Sequence, residues 1–184
     1  MTNALVYLVD SLLTIYLYVL ILRFVMQLTR ADFRNQIAHA VVTVTNPVIM
    51  PLRRILPPVG KVDTASVLAL LVVSAANVAL VSFISGGGVP PVAYWALITV
   101  YTLLRSFIMF FMGAIIIYAI LGWVVPAGYS PVMALLGTIC EPLLAPFRRL
   151  LPPISGIDLS PLWAGLLLGV LLRLLPQLFA FTTT

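Results

Sequence analysis

The chain has 184 residues, of which 62% are hydrophobic and only 8% charged, with a formal net charge of +5. A soluble domain carries about a quarter charged residues, so this composition cannot cover a water-soluble particle, and the solvent of most of the surface is lipid. The single cysteine, Cys140, excludes an intrachain disulfide and any multi-cysteine metal site, and between Ile139 and Glu141 it reads as a packing residue.

The first apolar run, about residues 4–28, could be mistaken for a secretory signal. It follows Met1-Thr2-Asn3 with no basic residue, is too long, and lacks a small-x-small cleavage site, so it reads as an uncleaved span. Further runs at about 65–85, 91–125 and 159–179 are also long enough to cross a hydrocarbon core of ~30 Å. The third would exceed ~45 Å at ~1.5 Å per residue. Arg105 divides it into pieces of 14 and 20 residues. One long tilted helix is the preferred reading, and a re-entrant helix followed by a span is the alternative. The expected fold is therefore an all-α integral membrane bundle of four spans.

Basic residues set the orientation. Arg30, Arg34, Arg53, Arg54 and Lys61 lie between spans one and two, and Arg148 and Arg149 between spans three and four, whereas the connection 86–90 has none. The positive-inside rule places both basic connections in the cytoplasm and both termini outside. Their position beside apolar runs points to anionic lipid headgroups rather than nucleic acid.

The two basic connections are copies of one another. Asn46-Pro-Val-Ile-Met-Pro-Leu-Arg-Arg-Ile-Leu-Pro-Pro-Val-Gly-Lys-Val-Asp63 aligns without a gap, at an offset of 95, with Glu141-Pro-Leu-Leu-Ala-Pro-Phe-Arg-Arg-Leu-Leu-Pro-Pro-Ile-Ser-Gly-Ile-Asp158, and eight of 18 columns are identical. The chain thus divides into a first repeat, 1–89, and a second, 90–184. Both run span, cytoplasmic segment, span, which predicts parallel repeats about a pseudo-two-fold axis along the membrane normal.

Within copy one, Phe33, Ile37, Val41 and Val44 recur at helical spacing, as in a helix lying in the interface. Copy two offers Ser130 as N-cap and Pro131 at the first helical position. A separate short helix is expected to open at Pro47 or Pro142, to be kinked or confined to about two turns by Pro51 or Pro146, and to be stopped by the double prolines. Asp63 and Asp158 precede spans two and four, where a carboxylate can cap free N–H groups. The paired arginines Arg53-Arg54 and Arg148-Arg149 have two readings. They snorkel to lipid phosphates, or each pair reaches the aspartate of the other copy, Arg53-Arg54 to Asp158 and Arg148-Arg149 to Asp63.

The doubled N/E-P-x-x-x-P-x-R-R-x-[LI]-P-P-x-x-x-[IV]-D unit, with spans around it, resembles the YggT (YlmG) family of bacterial and plastid membrane proteins. Arg23 in the first span and Asp32-Phe33 after it also fit the proteobacterial members. Asn46 stands where copy two has Glu141, so no role needing a carboxylate at both positions carries over. The resemblance implies an inner-membrane protein without a defined reaction, with relatives linked to osmotic-shock tolerance and potassium uptake, to membrane or division-site organisation, and in plastids to cytochrome assembly.

Ionisable residues inside spans are costly and are candidates for function. Counting from the outer ends places Asp10 ~9 Å deep, Arg173 ~10 Å, Asn77 ~12 Å and Arg105 ~20 Å. Asp10 is expected to pair with Arg105 or Arg173, with Asn77 nearby, as a polar clamp or as part of an ion path. Tyr7, Ser11, Thr14 and Tyr18 continue a polar stripe that should face protein or water. Arg23, near the inner end of its span, is expected only to snorkel. Gly165 and Gly169 form a G-x-x-x-G that allows close helix approach.

Signatures of catalysis are scarce. His39, the only histidine, sits on the polar side of an interfacial stretch, and no H-E-x-x-H, C-x-x-C or phosphate-cradling glycine loop occurs. Gly86-Gly87-Gly88 reads as an outside turn. Haem held by two histidines of one chain is excluded, and neither a cofactor nor a metal is expected. The sequence thus favours a non-enzymatic scaffold or assembly factor contacting lipids, membrane-protein partners or further copies of itself. A small transporter or channel subunit affecting potassium balance is the alternative, and an intramembrane enzyme a weaker third.

Overall fold

A computed structural model describes residues 2–56, 63–88, 90–124, 130–150 and 158–179. They form six helices in the order α1 (Thr2–Leu28), α2 (Gln36–Ile55), α3 (Thr64–Ile84), α4 (Val92–Val124), α5 (Pro131–Leu150) and α6 (Ser160–Leu178). Four of these, α1, α3, α4 and α6, are long and apolar enough to cross a membrane. The chain is an all-helical, multi-pass membrane protein. Large apolar side chains such as Leu12, Ile15, Val72, Phe83, Ile116 and Leu166 stand exposed along these helices, as lipid-facing positions do.

The third apolar segment is one unbroken helix of 33 residues. Its rise is about 50 Å, well beyond the hydrocarbon thickness. Arg105 does not interrupt it, because an exposed guanidinium leaves the backbone ladder intact. The turn from α3 to α4 falls on the glycine triplet. Gly86 and Gly88 adopt φ of 82° and 68°, which only glycine takes freely, and Ser82 Oγ donates to Gly88 O at 2.6 Å.

The surface helices correct the expected break at the first proline. Each is a single helix of 20 residues with both prolines inside it, Pro47 and Pro51 in α2, Pro142 and Pro146 in α5. Four-residue spacing puts Thr43, Pro47 and Pro51 on one exposed face, with Thr138, Pro142 and Pro146 matching them in α5. The carbonyls that lose their N–H partners therefore face outward, and the helix continues. Asn35 caps α2 by accepting from Ile37 N at 2.9 Å. Of the Phe33, Ile37, Val41 and Val44 stripe, Val41 is buried and Phe33 and Val44 are exposed, and the stripe turned to the spans is Ala38, Val41, Thr45 and Ile49. Its counterparts in α5 include Cys140 and Leu144. The double prolines, Lys61 and the residues between them lie outside the described residues.

The core sits where the spans meet the surface helices. Leu17, Leu20, Ile21 and Met26 of α1 pack with Ala65, Ala69 and Leu70 of α3, Ala114 and Ile115 of α4, Leu135 and Ile139 of α5, and Ala164 and Leu168 of α6. The rings of Phe24 and Phe107 meet edge-on at 6.1 Å, tying α1 to α4. Spans α1 and α3 pair, as do α4 and α6, and α3 runs along α4, whereas α1 and α6 do not touch among the described residues. The G-x-x-x-G of α6 brings no helix close among the described residues, since an added Cβ at Gly165 or Gly169 would meet nothing within 4 Å.

Candidate functional site

The arginine pairs occupy the last turns of α2 and α5, where cations complement the negative end of the helix dipole. Among the described residues, only the first arginine of each pair has an ionic partner, and that partner lies in its own repeat. Arg53 Nη2 donates to Asp63 Oδ2 at 2.6 Å and its Nε to the same oxygen at 3.2 Å. Arg148 Nε donates to Asp158 Oδ2 at 2.9 Å. The cross-repeat pairing is thus corrected. Each surface helix ends where the following span begins, so its own aspartate, ten residues on, is the carboxylate within reach. Arg54 and Arg149 are exposed, with no hydrogen bond or ion pair among the described residues.

The two aspartates start their spans differently. Asp63 is 1% exposed and takes the Ser66 hydroxyl at 2.7 Å but no backbone cap bond. Burial pushes its carboxyl upward, and the Arg53 and Ser66 hydrogen bonds outweigh that, holding it below the usual carboxylate range. Asp158, one residue before the N-cap Leu159, accepts from Ser160 N at 2.9 Å. Its carboxyl is likewise pushed up by burial and held down, more strongly, by Ser160 and Arg148.

Arg23 is a site residue that the sequence reading placed wrongly. It does not snorkel but is 4% exposed. Its Nη1 donates to Thr45 Oγ1 at 2.6 Å, Asn46 Oδ1 at 2.9 Å and Val42 O at 3.2 Å, fastening α1 to α2. At the offset of 95, copy two has Tyr118 for Arg23 and Glu141 for Asn46. There Arg148 Nη1 reaches Glu141 Oε2 at 2.6 Å, and its Nη2 lies 3.5 Å from the Tyr118 hydroxyl. One arginine in repeat two therefore serves two carboxylates, while repeat one has a second, buried arginine and a neutral amide.

The intramembrane residues come together only in part. Asn77 Nδ2 donates to Asp10 Oδ1 at 3.0 Å. Neither Arg105 nor Arg173 pairs with Asp10, and both are exposed. The register explains it. Ser74 Oγ bonds Thr99 O at 3.1 Å, so Arg105 lies six residues beyond a level already three below Asn77, an axial gap of roughly 13 Å. Tyr101 stacks edge-on against Phe179 at 5.7 Å, which puts Arg173 near the level of Arg105. Thr14 and Tyr18 turn partly toward protein, but Tyr7 is 75% exposed.

His39 is exposed on α2, and no group of three metal-ligating side chains occurs among the described residues. Cys140 is wholly buried, and burial pushes its thiol up to about 12 against the lowering effect of Arg148.

The CCB3/YggT family profile matches residues 2–84 and again 97–179, the second match displaced by the same 95 residues as the internal alignment. The chain belongs to the CCB3/YggT family. Among its relatives, the uncharacterized protein PA0392 of Pseudomonas aeruginosa is 41% identical over 93% of this chain and 87% of its own length. The uncharacterized protein YggT of Escherichia coli K12 is 37% identical over 92% of this chain and 87% of its own. The chloroplastic YlmG homolog protein 2 of Arabidopsis thaliana is 34% identical over 36% of this chain and 26% of its own. No solved structure matches.

Proposed function

We propose that this CCB3/YggT protein is a non-enzymatic scaffold of the bacterial inner membrane, holding two basic, proline-marked surface helices against the cytoplasmic leaflet. Within each arginine pair the work is divided. Arg53 and Arg148 lock surface helix to span, and Arg54 and Arg149 remain free for anionic headgroups or for acidic segments of membrane partners. Both termini lie outside in this reading, and a reporter fused at either end would reveal the side.

The observation that carries the scaffold reading is the closed apolar crossing of the helices. Leu17, Leu20, Ile21 and Ile115 are at most 2% exposed. Asp10, Arg105 and Arg173 lie on the outside of the bundle rather than along an interior path. Transport needs a polar route from one side to the other, lined by such groups. The test is potassium flux from vesicles of phosphatidylethanolamine and phosphatidylglycerol containing the purified protein. Flux at the level of empty vesicles is expected. Flux above that level, abolished by Asp10→Asn, overturns the scaffold reading in favour of a transporter or channel subunit.

A further inference from the structure

The two repeats differ at one apolar surface. In repeat two a furrow of about 310 Å³ runs between α4 and α6, walled by Ile116, Ala119 and Ile120 on one side and Leu162 on the other. Asp158 stands at its α5 end. The equivalent surface in repeat one is closed. Ile116 is 54% exposed and Ile120 49%, whereas their counterparts Ile21 and Val25 are 0% and 3%. Asp63 is 1% exposed, while the side chain of Asp158 is 37% exposed. Where repeat two has Ala119, repeat one has Phe24, whose ring packs against Phe107. This one surface is therefore covered in repeat one and open in repeat two.

We propose that this furrow holds one phospholipid per chain, with an acyl chain along Ile116, Ile120 and Leu162 and the headgroup phosphate on Arg149. The furrow is apolar along its length and polar only at the end where Asp158 binds Arg148, the same polarity as a lipid running from tail to headgroup. Arg149, next in sequence to the arginine already committed, is exposed and has no ion-pair or hydrogen-bond partner among the described residues, and a guanidinium suits a phosphate. The lipid site deepens the headgroup-contact part of the scaffold reading. It depends on the furrow and not on the absence of ion flux, so the flux measurement and the lipid count fail separately.

The test is native mass spectrometry of the full-length detergent-purified protein titrated with dioleoyl phosphatidylethanolamine and dioleoyl phosphatidylglycerol. One tightly held lipid per chain is expected, despite the duplicated arginine motif. Ala119→Phe, which installs the side chain of repeat one, should weaken that lipid by about tenfold or more, and Arg149→Gln should weaken it similarly. Ile15→Phe, on an exposed face of α1, should leave it unchanged. If Ala119→Phe fails to fold by thermal melting, Ile120→Phe takes its place. Zero lipids, two equivalent lipids, or unaltered retention in either furrow variant or in Arg149→Gln overturns the proposal. So does a dimer that Ala119→Phe dissociates, because the occupant would then be a second copy.

Discussion

Arg23 and Asn46 meet at 2.9 Å across the junction of a span and its surface helix, and their counterparts ninety-five residues on are Tyr118 and Glu141. Both members of the pair change together. An arginine facing a glutamate in repeat one would create a different ion pair, and a tyrosine facing asparagine in repeat two would leave Arg148 with one carboxylate fewer. The buried guanidinium is matched by neutral acceptors: a hydroxyl, an amide and a carbonyl. Arg23→Gln removes a charged donor from three acceptors in a site that water scarcely reaches. A loss of roughly 2–3 kcal/mol is expected, lowering the thermal midpoint in detergent by several degrees. Tyr118→Phe, which gives up one long bond, should shift it far less.

The coupling between Arg53 and Asp63 should be local to repeat one. A double-mutant cycle with Arg53→Gln and Asp63→Asn should give an interaction energy of about 1 kcal/mol or more. Combining Asp63→Asn with Arg148→Gln should give additive losses within a few tenths of a kcal/mol. Coupling of the second pair and not the first would restore the cross-repeat arrangement.

These contacts also show what could be read from the sequence. The four spans were legible because apolar length alone identifies a helix that crosses a bilayer. The surface helices were legible in position but not in continuity, since a proline rule cannot tell whether the carbonyl it orphans faces water or the core. The partner of Arg53 was misplaced because symmetry is indifferent between the near and the far aspartate, and chain proximity decides. Arg23 carries a signal in the internal alignment. Its replacement by Tyr118 at the same offset that replaces Asn46 by Glu141 ties the two positions together. The register that separates Asp10 from Arg105 was invisible, because counting from helix ends assumes level ends, and Ser74 bonded to Thr99 shows they are not.

Acid should weaken both junctions. Asp63 and Asp158 are held below the usual carboxylate range in the folded protein, and an unfolded aspartate titrates near ~3.9. A depressed carboxylate adds stability that is fully present above the unfolded value and is lost as pH falls through the folded one. The thermal midpoint in detergent should therefore change little from these groups between pH 8 and about 5 and decline below about pH 4. Arg53→Gln with Arg148→Gln should flatten that decline. An acid limb unaltered in the double variant would assign it to other groups.

Cys140 reports on the packing of α5 against the spans. It is wholly buried, and its thiol is pushed up to about 12, so at pH 8 it stays protonated. Burial and protonation act in the same direction, because alkylation needs both an open path and an ionised sulfur. Maleimide should label the native protein far more slowly than the same protein in denaturant. Variants that loosen α5, Asp158→Asn among them, should raise the labelling rate before any loss of helix content. Arg149→Gln, which breaks no hydrogen bond or ion pair among the described residues, should leave the rate unchanged. Prompt labelling of the native wild-type protein would mean that α5 leaves its seat on the spans, and with it the closed crossing on which the scaffold reading depends.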